Sequence, residues 1–320
     1  MIIFNRIPLM KKNKILIFTL IGLLSMLKVS AQQEPNFTQY MYNMNVVNPA
    51  YAGSLGTLSI GLLGRTQWTE ISDNPKTVTF DAHAPLGKRI GMGLSLIADE
   101  IGPMKEQNIY ADISYTLTLS EEGRLAFGLK AGVTLQKSDF SLIVLPQDPD
   151  DPLFDENINN TYPNIGAGVF YYTDKFYIGA SVPNILNSKH YDFDSSQGYY
   201  TEASEEAHYY ITSGYVFNLS ESLKFKPSVM LRGVISAPLS YDVNANFLLY
   251  DRFEMGASYR NGSSISGLFN IGVTREFRIG YAIDLAIGEL SNLSPGTTHE
   301  VILLYELSFS KKNIKSPRFF

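Results

Sequence analysis

The side chains best suited to acid–base or metal chemistry are four histidines, His83, His190, His208 and His299, and they are scattered along the chain. No His-Glu-x-x-His pair could grip zinc from one helix face, no Gly-x-Ser-x-Gly elbow presents a nucleophile, and no Gly-rich loop ends in Lys-Ser/Thr to cradle phosphate. A hydrolase would need the fold itself to carry a serine or an acid to His83 or His208. The absence of cysteine removes thiol nucleophiles, thiolate metal sites and disulfides. The acids Asp148, Asp150, Asp151, Asp155 and Glu156 gather in one stretch, and oxygen ligands at close spacing can hold calcium. Their spacing does not fit the twelve-residue calcium loop, and the glycine of its sharp turn is missing, so a solvated acidic loop is the better reading. Tyr191, Phe193, Tyr199 and Tyr200 sit among acids in the stretch 191–206. Exposed rings in a polar frame are enriched at protein contacts, although the same rings could pack on the rim of the fold. The expectation is no catalytic set, no metal and no cofactor.

What must position these loops is a long succession of strands. In Arg124–Gln136, Leu125, Phe127, Leu129, Ala131, Val133 and Leu135 alternate with Ala126, Gly128, Lys130, Gly132, Thr134 and Gln136. Period-two alternation marks a strand with two different faces. Ser240–Tyr250, Phe277–Leu285 and Val301–Phe309 repeat it, with Asp242, Arg278, Asp284 and Glu306 on the minority face. Fourteen such segments are predicted, near 57–68, 77–84, 90–98, 107–118, 124–136, 163–172, 175–182, 208–217, 222–233, 239–249, 253–260, 264–274, 277–285 and 298–309. Most approach the ten residues a tilted strand needs to cross the hydrocarbon layer. Even-numbered connections are short, whereas the odd-numbered ones include the long loops 137–162 and 183–207 and a medium one at 286–297. Short turns at one end and long loops at the other describe a transmembrane antiparallel β-barrel of about fourteen strands, an all-β fold.

A soluble periplasmic sandwich also alternates. Against it stand whole strand faces of Phe, Tyr, Leu and Ile facing others that mix small residues with Lys130, Lys226, Arg232, Glu254 and Arg260. Charges on the inner face of a narrow barrel are expected to pair across its interior, because a buried lone charge is expensive. Mean hydropathy is near zero, too polar for a helical membrane bundle. A formal charge of −5 supplies no basic footprint for nucleic acid.

Residues 1–31 read as a signal peptide. Lys11, Lys12 and Lys14 precede an apolar stretch Ile15–Leu27, and Val29-Ser30-Ala31 supplies small residues before a cleavage point. Met10 would itself make an ordinary start, which leaves initiation at Met1 or Met10. Cleavage removes five of the 26 basic residues and no acid, leaving 21 against 31 acids, a net −10. Residues 32–55 are apolar yet not strand-like and are expected in the barrel or across its periplasmic mouth, as a plug. Residues 56–310 form the barrel and 311–320 a periplasmic tail.

Gln39-Tyr40-Met41 followed by Asn48-Pro49-Ala50-Tyr51-Ala52-Gly53 resembles the opening motif of the PorP/SprF family of the type IX secretion system, and Lys315–Phe320 is similar to that family's ending. The likeness runs over essentially the whole mature chain. It implies a barrel in the cell outer membrane, in contact with its lipid and with the secretion machinery. It also implies a partner, a large secreted surface adhesin with a C-terminal secretion domain, that the barrel helps to export or retain. Gln39, Tyr40, Met41, Asn48, Pro49, Ala50, Tyr51 and Gly53 carry over only as signature residues without an assigned role. An uptake channel for a hydrophobic or small solute is the alternative, since that class also carries an N-terminal plug. Loops 137–162 and 183–207 are expected to grip the partner.

Overall fold

The computed structural model describes residues 36–139, 158–186, 206–235, 237–288, 291 and 296–308. The acidic residues 148–156, the aromatic candidates Tyr191, Phe193, Tyr199 and Tyr200, the signal segment and the C-terminal tail lie outside them.

Fourteen antiparallel strands are found among the described residues. They are β1 Leu58–Thr66, β2 Lys76–Leu86, β3 Ile90–Ile101, β4 Met104–Thr118, β5 Arg124–Ser138, β6 Ile158–Tyr172, β7 Phe176–Val182 and β8 Tyr209–Tyr215, which resumes at Phe217–Asn218. There follow β9 Leu223–Gly233, β10 Ser240–Leu249, β11 Phe253–Arg260, β12 Ser264–Gly272, β13 Phe277–Ala286 and β14 Thr297–Leu307. Each pairs with its sequence neighbour, and β1 pairs with β14 from Leu58↔Leu307 to Thr66↔His299, so the sheet closes and has no free edge. The break in β8, at Val216, falls opposite Lys226, next to Pro227. The register Phe225↔Phe217 and Ser228↔Gly214 continues through it, and proline has no N–H to donate to the ladder. Pro163 is tolerated inside β6 because only β5 pairs with the strand there; β7 reaches no further than Ala167.

Relative to a soluble sheet the molecule is inside out. Leu129 is 63 % exposed and the next residue, Lys130, 2 %. The outward faces carry Phe127, Ile113, Val243, Phe247, Leu285 and Tyr305, as a lipid-facing band requires. Rings also form a row of neighbours from Tyr171 to Phe176, Tyr215, Phe217, Phe225 and Phe247, near the ends of β6–β10 that carry the short turns, where an aromatic girdle belongs.

The even-numbered connections, 87–89, 119–123, 173–175, 219–222, 250–252 and 273–276, make a turn rim. The opposite, loop rim is less uniform than the expected division. Its connections 102–103 and 261–263 are as tight as any turn, so only some odd-numbered connections are long.

Candidate functional site: the filled lumen

Eight strands enclose a space that their own side chains can fill, whereas sixteen leave a channel. Fourteen need added material, and the chain supplies it from its own N-terminal segment. Residues 36–57 run through the lumen as three single turns, Tyr40–Tyr42, Met44–Val47 and Pro49–Tyr51. Asn48 explains the last of them. Its Oδ1 accepts from the Ala50 N–H at 3.0 Å, and Pro49 stands at the first helical position, where a missing N–H costs nothing.

The segment begins near the loop rim, held by charge. Arg65 lies 2.8 Å from Asp284 and 3.0 Å from Glu300, all three buried. Glu300 accepts the backbone N–H groups of Thr38 and Gln39 at 2.9 and 2.8 Å, and the Thr38 hydroxyl donates to Asp284 at 2.8 Å. Arg260 grips Asp242 through Nε and Nη2 and donates to the Phe37 carbonyl at 3.1 Å. Further along, the Tyr40 hydroxyl donates to Ser228 and accepts from Asn244. Tyr42 donates to Glu254, itself paired with Lys226 at 3.1 Å.

The middle is a polar crossing. Asn45 Nδ2 donates to Asp112 at 3.1 Å, and Lys130 pairs with Asp112 at 3.1 Å and reaches the Asn45 carbonyl. Asn43 donates to Thr79.

Toward the turn rim the contacts change kind: the segment lies directly on the wall. A Cβ on Gly128 would stand 2.1 Å from the Ala50 nitrogen, so only glycine admits the segment there. Gly53 adopts φ +73°, and a side chain on it would meet the Gly91 Cα at 2.7 Å. Wall hydroxyls close the seam: Ser181 donates to the Val47 carbonyl at 2.9 Å and Ser114 to the Ala52 carbonyl at 2.6 Å. Asn48 Nδ2 donates to the Val169 carbonyl. Tyr51 sits edge-on against both His83 and Phe170 with centroids at 5.3 Å.

All eight signature residues therefore lie inside the barrel, and all but the half-buried Gly53 are buried. Of the charged set named from sequence, Lys130, Lys226, Asp242, Glu254 and Arg260 are buried and paired, whereas Arg232, Arg278 and Glu306 are half-buried, Arg232 donating to the Ser240 hydroxyl and Arg278 to the Asp251 carbonyl. Arg65, Asp112 and Glu300 were missed, although each falls on the minority face of its strand's alternation, the signal that would have found them. His83 is no free base: its Nδ1 accepts the Gly53 N–H at 3.2 Å. Among the described residues no group of three His, Asp or Glu could hold a metal ion.

The model of a family described as "Type IX secretion system membrane protein PorP/SprF" matches residues 29–305. No curated protein matches the chain. Solved structures it resembles include the TodX deltaS2S3 mutant, a monoaromatic hydrocarbon channel, at 11 % identity and TM-score 0.51, covering 83 % of this chain and 94 % of that one. The outer membrane protein Omp33 of Acinetobacter baumannii gives 10 % identity and TM-score 0.45, covering 80 % and 100 %. A Pseudomonas aeruginosa FadL homologue gives 12 % and 0.45, covering 87 % and 95 %. The likeness to TodX is one of fold.

Proposed function

This chain belongs to the PorP/SprF family of type IX secretion system membrane proteins, and from that premise we propose that it serves export or surface retention of a large adhesin bearing a C-terminal secretion domain. The role is non-enzymatic: the barrel is a rigid cup in the cell outer membrane. Its turn rim faces the periplasm, its loop rim faces outward, and loops 137–162 and 183–207 hold the partner. Tyr191, Phe193, Tyr199 and Tyr200 are the contact residues of the second loop.

The observation that supports this reading over a pore is the lumen, occupied from Phe37 to Leu55 by a segment tied to β1, β2, β4–β7, β9–β11, β13 and β14. In this proposal the signature residues Gln39, Tyr40, Met41, Asn48, Pro49, Ala50, Tyr51 and Gly53 are the anchors of a permanent plug. Purified protein in planar bilayers is expected to give no large steady conductance, and open pores of that kind would contradict the proposal. Deleting loop 183–207 is expected to abolish surface display of the partner while the barrel still folds. Unchanged display would remove that loop from the mechanism. The alternative, an uptake channel for a hydrophobic or small solute, has only the fold likeness to TodX behind it. Loss of growth on such a solute after gene removal, with secretion intact, would favour it.

A further inference from the structure

The lipid-facing wall is not evenly convex. Across β3–β8 its outer surface is hollowed into an apolar groove of about 830 Å³. The floor is laid by small outward side chains of β6 and β7, Ala167 paired with Val182 and Val169 with Ala180, and by Gly128 and Gly168, which carry none. On one side stand the exposed Phe127 and Leu129 of β5, on the other Tyr209 and Ile211 of β8. Gly128 and Gly168 turn their opposite faces to Ala50 and Asn48 of the plug, so neither surface of the wall carries a large side chain there.

Register gives the groove a direction. One row of cross-strand partners runs along it: Ile90, Tyr115, Phe127, Val169, Ala180 and Ile211. Ile90 stands next to the 87–89 turn, whereas Ile211 lies seven residues before Asn218, where β8 reaches its own turn. The row therefore starts at the turn-rim edge of the membrane and climbs obliquely into the hydrocarbon layer, over a path of about 24 Å for its five strand spacings. Tyr171 and Tyr215 of the aromatic girdle lie on the turn-rim side of Val169 and Ile211, which puts the floor inside that layer. At the low end the Arg89 Nη1 donates to the Tyr115 hydroxyl at 3.2 Å, and the Tyr115 ring lines the groove.

We propose that this groove binds one acyl chain of a phospholipid from the leaflet on the turn-rim side, with the lipid's phosphate at Arg89. Three features select this occupant. The groove is continuous with the lipid-facing band, so what fills it comes out of the bilayer. Its oblique course, from the membrane edge toward mid-depth, is the course of a chain anchored at the edge. Its low end carries a cation fixed on the outer surface at headgroup depth, where a lipid phosphate complements it. A second barrel would present a convex wall, which bridges such a groove instead of filling it. The inference rests on the barrel, not on the secretion role; only the choice of phospholipid as the source depends on the orientation proposed above.

The test uses the full mature protein in non-ionic detergent, titrated with phosphatidylglycerol and read by native mass spectrometry, which weighs whatever stays bound. One retained phospholipid per barrel is expected. Ala167→Phe with Ala180→Phe fills the floor and is expected to weaken retention roughly tenfold or more. Ala257→Phe, a like change at an exposed position of β11 outside the groove, is expected to retain the lipid as the native protein does. Arg89→Gln is expected to weaken retention roughly fivefold. The heat-dependent gel shift reports that each variant folds. No retained phospholipid, or equal retention by the double variant, overturns the site while leaving the secretion reading standing. A retained lipopolysaccharide, or a second copy of the chain that the double variant loses, overturns the occupant. Retention untouched by Arg89→Gln overturns the placement of the phosphate.

Discussion

From Phe37 to Tyr42 the lumenal segment meets buried ions, whereas from Asn48 to Gly53 it meets bare backbone. In the first region Arg65, Arg260, Glu300 and Glu254 reach inward on long side chains. In the second, glycines let the wall close until main chain touches main chain. The difference teaches that one short peptide can be seated by two mechanisms with different failure modes. The charged half tolerates small shifts, because long side chains follow, but it cannot lose one member of a pair. The glycine half has no net charge to lose and cannot accept a single carbon atom.

Breaking the glycine half gives the largest effect. Gly128→Val places atoms inside the van der Waals shell of Ala50, whose backbone has nowhere to retreat. The expected outcome is a folded barrel with its plug displaced, seen as protease cleavage within 36–55 and as new conductance in planar bilayers. Cleavage and conductance both unchanged would mean that the seam is not the seat of the plug.

Breaking the charged half comes next. Arg65→Ala leaves Asp284 and Glu300 buried without their cation, a loss of about 3–5 kcal/mol for one partner of a buried pair. Thermal unfolding in detergent would register it as a large drop in midpoint. The triple change Arg65→Met, Asp284→Asn, Glu300→Gln is expected to recover much of that drop, since no bare charge then remains.

A smaller effect separates the cap from its surroundings. Asn48→Ala removes the cap of the Pro49–Tyr51 turn and the bond to Val169, at about 0.5–2 kcal/mol, again read as a midpoint shift. Smallest of all is salt. Because the ion pairs are buried, raising ionic strength from ~0.1 to ~1 M is expected to leave the native midpoint nearly unchanged. A steep salt dependence would place those charges in water and dissolve the contrast between the halves.

The strands were legible because a wall between lipid and a polar lumen writes itself into every second residue. Leu129 and Lys130 could not exchange faces without cost on both sides. Where alternation weakens, the reading shortened: β6 begins at Ile158, five residues before its predicted start near Pro163. Pro163, which has no N–H for the ladder, falls within β6 at a point where only β5 pairs with the strand. The tight connection 261–263 falls where the predicted strands 253–260 and 264–274 leave it, whereas 102–103 was hidden between predicted strands 90–98 and 107–118, because loop length depends on how high each strand rises above the membrane.

Pattern alone determined the closed sheet, its two faces and the presence of an apolar segment with no strand of its own. Period two is local, and any single strand declares it. Only the tertiary structure decided that Thr38 would meet Glu300, 262 residues away, and that Ala50 would rest on Gly128. Those meetings follow from barrel diameter, strand register and the route of one peptide through the interior, and none of these is a property of neighbouring residues.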